Sequence, residues 1–128
     1  MVGSEDSFKR HLLEASTVKS ILENEFKNSQ RIVIISAYVT HSAIEWLIGN
    51  ISSTADVRLL ARLSPVDFLS NSSDIKALNT FLDHGFKLGM LENLHAKLYM
   101  LDNRRILVGS ANFTTNGLNL YGEGNLEV

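Results

Sequence analysis

The chain has 128 residues, 45% hydrophobic and 20% charged, enough for one globular domain with a real core and too few for two. Its formal net charge of −2 leaves no general basic footprint for nucleic acid, so any such contact needs a local patch. The absence of cysteine excludes disulfides, thiolate zinc sites and a cysteine nucleophile.

The opening "MVGSEDSFKR" has neither the basic start nor the apolar stretch of a secretory signal. No apolar run approaches the roughly 20 residues of a membrane span, so a cytoplasmic protein without a membrane segment is expected. "STVKSILENEFKNS" carries Val18, Ile21, Leu22 and Phe26 at helical spacing, with Ser16 or Thr17 as the cap. "RIVIISAYV" is a continuous β-branched run and reads as a strand buried on both faces. "SAIE" offers Ser42 and Glu45 as a capping box for a short helix through Trp46 and Leu47. "DVRLLARL" is a second strand, and "SPVDFLSNSS", with the single proline, reads as loop. "SDIKALNTFLDHG" is an amphipathic helix with Ile75, Leu78, Phe81 and Leu82 on one side and Gly85 as its stop. "FKLGMLE" is a third strand, and a final "GNLEV" a further one.

Strands alternating with helices imply an α/β fold, a mixed β-sheet flanked by helices on both faces, closed by an antiparallel pair near the end. The whole chain, 1–128, is expected to be one domain. Because it stops in what reads as a strand, it is expected to be a fragment of a longer protein.

The chemistry concentrates in "HAKLYMLDNRRILVGSAN", residues 95 to 112. On a strand, His95, Lys97, Tyr99 and Leu101 share one face. If Asp102 and Asn103 form a two-residue loop, Leu101 faces Arg104, Tyr99 faces Ile106, Lys97 faces Val108 and His95 faces Ser110. Opposed side chains lie roughly 5 Å apart, so His95, Lys97, Ser110 and Asn112 gather at one end of a hairpin. Lysine charge with Ser and Asn hydrogen bonds suits the non-bridging oxygens of a phosphate, and histidine can serve as nucleophile or general acid. On strand parity alone, an ordinary hairpin with a solvent-exposed end explains the pattern equally well.

The spacing separates the two readings. His95-x-Lys97, four residues, Asp102, six residues and Gly109-Ser110-x-Asn112 resembles the HKD signature of the phospholipase D superfamily, and "FTTNGL" with Asn125-x-Glu127 continues the resemblance. The resemblance implies that His95 attacks phosphorus and forms a phosphohistidine intermediate. It implies that Lys97, Ser110 and Asn112 bind the phosphoryl oxygens, that Glu127 orients His95, and that neither metal nor cofactor is needed. Asp102 lies seven residues from His95 with the opposite parity, about 23 Å away along a strand, so a turn role suits it better. Gly109 is likewise structural.

Weaker candidates are Tyr38 and His41 after the first strand, Arg58 and Arg62 on the second, and Arg104 and Arg105 at the turn. Packing or surface charge explains each of these as well, and His11 and His84 read as ordinary helix-surface residues. One motif copy and no membrane segment resemble the single-motif nucleases of the superfamily. The expected activity is therefore metal-independent phosphodiester hydrolysis on nucleic acid, DNA first. Two histidines are needed in the implied mechanism and the chain has one motif, so a homodimer with a shared site is expected. The other classes in play are a catalytically silent phosphate-binding module and a phospholipid phosphodiesterase. The latter fits less well, because no exposed amphipathic stretch is evident.

Overall fold

The computed structural model describes residues 13–70, 73–108, 112–114, 118 and 126–127, without side chains at 13–17 and 126–127. The elements run β1 (Leu13–Glu14), α1 (Ala15–Asn28), β2 (Arg31–Ser36), α2 (His41–Asn50), β3 (Asp56–Arg62), α3 (Pro65–Leu69), α4 (Ile75–Asp83), β4 (Lys87–Leu91), β5 (Lys97–Leu101), β6 (Arg105–Val108) and β7 (Leu126–Glu127). The main sheet has five strands in the order β4-β3-β2-β5-β6. β2, β3 and β4 are parallel, joined by helical crossovers, while β5 and β6 are antiparallel to their neighbours. This is the mixed α/β sheet with helices that the strand–helix alternation implies. The short strands β1 and β7 form a separate antiparallel pair.

One sheet face carries the core. Ile32 and Ile34 of β2, Val57, Leu59 and Ala61 of β3, and Tyr99 and Leu101 of β5 are all buried there. They cluster with Leu22 and Phe26 of α1, Ile44 and Leu47 of α2, and Leu78 and Phe81 of α4. Each fully buried large apolar side chain contributes about 1.5–3 kcal/mol relative to exposure. The opposite face of β2, with Val33 and Ile35, is only partly covered, so the β-branched run is fully buried on one face rather than two.

Several local expectations change. Helix α1 begins at Ala15, so Ser16 and Thr17 lie inside it rather than capping it. Helix α2 is entered from Thr40, so Ser42 and Glu45 form no capping box; Glu45 instead meets His41 Nδ1 at 3.3 Å. The segment read as loop contains α3, which starts from Ser64 with Pro65 in the first turn, where proline's fixed φ suits a helix and its missing N–H costs nothing. Helix α4 buries Ala77, Leu78 and Phe81, while Ile75 and Leu82 are exposed. Asp74 caps it by accepting the Lys76 N–H, and Gly85, at φ +78°, ends it in the left-handed conformation.

The β5–β6 hairpin departs from the two-residue count by one residue. Asp102 and Asn103 both have positive φ, and the Arg104 N–H donates to the Leu101 carbonyl at 3.1 Å, as in a tight turn. The ladder, however, resumes with Leu101 opposite Arg105, Met100 opposite Ile106, Tyr99 opposite Leu107 and Leu98 opposite Val108. Arg104 is thus an additional residue, which is the count of a β-bulge. The tertiary reason lies on α1, where Glu25 receives Arg104 at 3.3 Å and Arg105 at 3.0 Å. Consecutive side chains of a regular strand point to opposite faces, whereas Arg104, left in the turn, and Arg105 both reach this one carboxylate.

Candidate active site

The site is built where two strands meet end to start. β2 and β5 are antiparallel, so Ser36, the last residue of β2, pairs with Lys97, the first of β5. This is the carboxyl end of the parallel strands, where open α/β sheets hold their ligands. Lys97 is half-buried at the mouth of the core face, just beyond Tyr99. Leu94, buried, pins the segment that enters β5, and His95 follows it at the surface. His95 therefore lies before the strand, two residues ahead of Lys97, and not within it. Among the described residues, the His95 and Lys97 side chains make no hydrogen bond or ion pair with one another or with a neighbour.

Asn112 is carried to the same place by packing downstream. Phe113 is fully buried, with its ring 6.1 Å from Trp46 of α2 and 6.2 Å from Tyr99 of β5. Its backbone bridges to Val39, and its carbonyl accepts the Thr40 N–H at 3.3 Å. Leu118, also fully buried, donates its N–H to Thr114 at 3.1 Å. Phe113 thus anchors the backbone directly after Asn112. The Asn112 Oδ1 accepts from the Ser36 hydroxyl at 3.3 Å, and the Phe113 N–H donates to the same hydroxyl oxygen at 2.9 Å.

The described part of the site is therefore Ser36 at the strand end, with half-buried Lys97 beside it in the sheet, the Asn112 carboxamide on its hydroxyl, and exposed His95 two residues before Lys97. A cation and an amide donor beside an imidazole can hold the oxygens of a phosphate while the imidazole approaches phosphorus. Gly109, Ser110, Asn125 and His11 lie outside the described residues. Glu127 is paired in β7 with Leu13, and its side chain also lies outside the description. The described pairs of the hairpin are shifted by one from the two-residue count, with Leu98 rather than Lys97 opposite Val108, and the expected pairing of Ser110 with His95 lies outside the described residues.

Asp102 sits at the far end of the hairpin. Its Oδ1 accepts the backbone N–H groups of Gln30 and Arg31, each at 2.8 Å, and its own N–H donates to the Arg31 carbonyl at 2.8 Å. It clamps the hairpin tip to the start of β2, and the Arg31 N–H, followed by that of Gln30, holds its carboxyl below the usual carboxylate range. The weaker candidates are engaged elsewhere. Arg62 makes a two-pronged contact with buried Asp67 at 2.7 and 2.9 Å and lies 4.7 Å over the Tyr38 ring. The Asp67 carboxylate raises the guanidinium's pKa. Arg58 pairs with Asp56, Arg104 and Arg105 pair with Glu25, and His84 Nδ1 lies 3.0 Å from the Thr80 carbonyl.

Sequence reasoning missed Ser36 and Phe113. The one available signal for Ser36 was a lone hydroxyl in an apolar strand, a group that must find partners once buried. Among the described residues, no group of three or more histidines and carboxylates stands close enough to hold a metal ion, and no helix is long and apolar enough to cross a membrane.

Among solved structures, the chain is similar to a phospholipase D family member, Nuc, from Salmonella typhimurium. The TM-score is 0.68 at 19% identity, over 88% of this chain and 72% of that one. It is also similar to TrmBL2, described as an archaeal chromatin protein with a novel mode of DNA binding. There the TM-score is 0.54 at 9% identity, covering 98% of this chain and 46% of that one, less than half its length. At such identities both likenesses concern the fold alone. A search of curated proteins finds no match. The family model described as "Cardiolipin synthase, PLD-like domain" matches residues 22–128, most of the chain, and with the fold and the spacing around His95 it places this protein in the phospholipase D-like domain family.

Proposed function

We propose that this domain is a metal-independent phosphodiesterase acting on nucleic acid, DNA first, as an endonuclease of restriction or helicase-associated type. The observation that carries the reading is that Lys97 pairs with Ser36 at the end of β2 and Asn112 bonds the Ser36 hydroxyl, with an exposed His95 two residues before Lys97. In this reading a His95 ring nitrogen attacks phosphorus, the P–O bond to the leaving oxygen breaks, and a phosphohistidine forms. Lys97, Ser110 and Asn112 hold the non-bridging oxygens, where charge builds up. Glu127 fixes the imidazole tautomer, as the carboxylate does in a triad. Asp102 shapes the hairpin tip, and Gly109 has a structural part in the motif.

The leaving oxygen needs a proton, and the second step needs a base for water. One motif supplies one histidine. The reading therefore includes a symmetric homodimer in which His95 of the partner subunit protonates the leaving oxygen. It then takes a proton from the water that splits the P–N bond, which regenerates His95. Nucleic acid is favoured over lipid by the single motif and by the DNA binding stated for TrmBL2.

The test is turnover with a chelator present on three substrates: plasmid DNA, bis(p-nitrophenyl) phosphate and a phospholipid. DNA and the generic diester should be cleaved in the chelator. Cleavage of the phospholipid alone would assign the domain to lipid chemistry. Turnover that returns only with magnesium would remove the histidine mechanism, and binding of DNA without turnover of any substrate would make it a silent clamp. Mixing wild-type subunits with His95→Asn subunits tests the dimer. A shared site predicts activity falling as the square of the wild-type fraction, and a linear fall would show a complete site in each chain.

A further inference from the structure

Ser36 is the one fully buried polar side chain on the described part of the core-facing side of β2, after Ile32 and Ile34. A hydroxyl there needs partners, because burying it unpaired is costly. It has them on two loops at once. Its proton goes first to the Tyr38 carbonyl at 2.6 Å, the Asn112 Oδ1 is a second, longer acceptor at 3.3 Å, and its oxygen accepts the Phe113 N–H at 2.9 Å. It also pairs with Lys97 across the ladder.

The chemistry of that contact has a direction. A hydroxyl that donates draws the oxygen of the Asn112 amide toward itself and leaves the Nδ2 hydrogens on the other side. An anionic oxygen needs donors, so this is the productive orientation of the carboxamide. We infer that Ser36 is a positioning residue, which sets the Asn112 side chain donor side outward beside Lys97 and thereby tunes phosphate affinity. The inference rests on the phosphate-site reading above and names a residue outside the motif.

The experiment compares wild type, Ser36→Ala, Asn112→Ala and the double variant in two assays, each on folded protein. The first is NMR titration with inorganic phosphate, which needs no turnover. The second is hydrolysis of bis(p-nitrophenyl) phosphate, with kcat and KM separated. Ser36→Ala should weaken phosphate binding and lower kcat/KM by about tenfold, the scale of one hydrogen bond to an ionic partner. In the Asn112→Ala background the same substitution should cost less than about twofold, because its target is gone. Ser36→Thr, which keeps the hydroxyl, should stay close to wild type. Should Ser36→Ala not fold, Ser36→Cys carries the same comparison, filling the site with a somewhat larger atom and a far weaker donor. A full tenfold loss persisting without Asn112, or no loss at all, would overturn the assignment. Phosphate binding with this pattern but no turnover would retain Ser36 and remove the hydrolase reading. Normal turnover indifferent to Ser36 would do the reverse, and a wild type that binds no phosphate would end both.

Discussion

Replacing Phe113 by alanine tests how the site is held. The ring is fully buried and packs between Trp46 and Tyr99, at centroid separations of 6.1 and 6.2 Å. Truncating a buried phenylalanine to alanine costs about 3–5 kcal/mol, of which each tilted aromatic contact supplies roughly 0.5–1.5 kcal/mol beyond its area. For a chain of this size one kcal/mol moves Tm by roughly 3–5 °C, so a fall of about 10–20 °C is expected. Phe113→Leu keeps most of the volume and should cost about 1–1.5 kcal/mol. The same ring anchors the backbone of Asn112, so phosphate affinity should fall with stability in the alanine variant and survive in the leucine variant. Urea unfolding followed by circular dichroism, with phosphate titration on the folded protein, measures both. A loss below about 1 kcal/mol for Phe113→Ala would refute the placement of this side chain in the core.

Further outcomes follow from other contacts. His95→Asn should lower turnover by at least about a thousandfold, because the nucleophile is lost, while Tm moves by no more than about 2 °C, since the residue is at the surface. Asp67→Ala should destabilise by about 3–5 kcal/mol in urea titration, because it strands the Arg62 charge, whose side chain is 15% exposed against 7% for Asp67. Asp102 has its folded pKa depressed by the Arg31 and Gln30 amides. Its contribution is present above the unfolded carboxylate value, about 3.9, and is lost as pH falls through the lower folded value. Asp102→Asn should therefore flatten the acid limb of the stability–pH curve, and an unchanged limb would show that the clamp carries no charge dependence.

Much of the fold was readable because it rests on local pattern. Alternating β-branched runs and amphipathic stretches gave the strand–helix order, and the late strand–turn–strand gave the antiparallel pair. The failures have tertiary causes. "DNRR" carries the composition of a two-residue turn, and nothing local shows that Glu25, 79 and 80 residues away, draws both arginines to one side. By composition "SPV" reads as loop, although Ser64 before Pro65 also fits the entry to a helix. At the site, His95, Lys97 and Asn112 stood out by spacing. Ser36 did not, because a single serine in an apolar run says nothing of its partners until the chain from 112 to 113 docks on it. In sequence Phe113 is only part of a motif's continuation, and its burial between two other aromatics depends on elements far apart in sequence.

The covalent step is the central claim, and trapping it is the most direct test. Wild-type protein should be mixed with a phosphodiester in the presence of a chelator and quenched in denaturing alkali during the first turnovers, since a phosphorus–nitrogen bond does not survive acid. Digestion and mass spectrometry should then find the phosphoryl adduct on the peptide containing His95, and none in the His95→Asn variant. Steady hydrolysis with no adduct on that peptide, retained when His95 is replaced, would contradict the account.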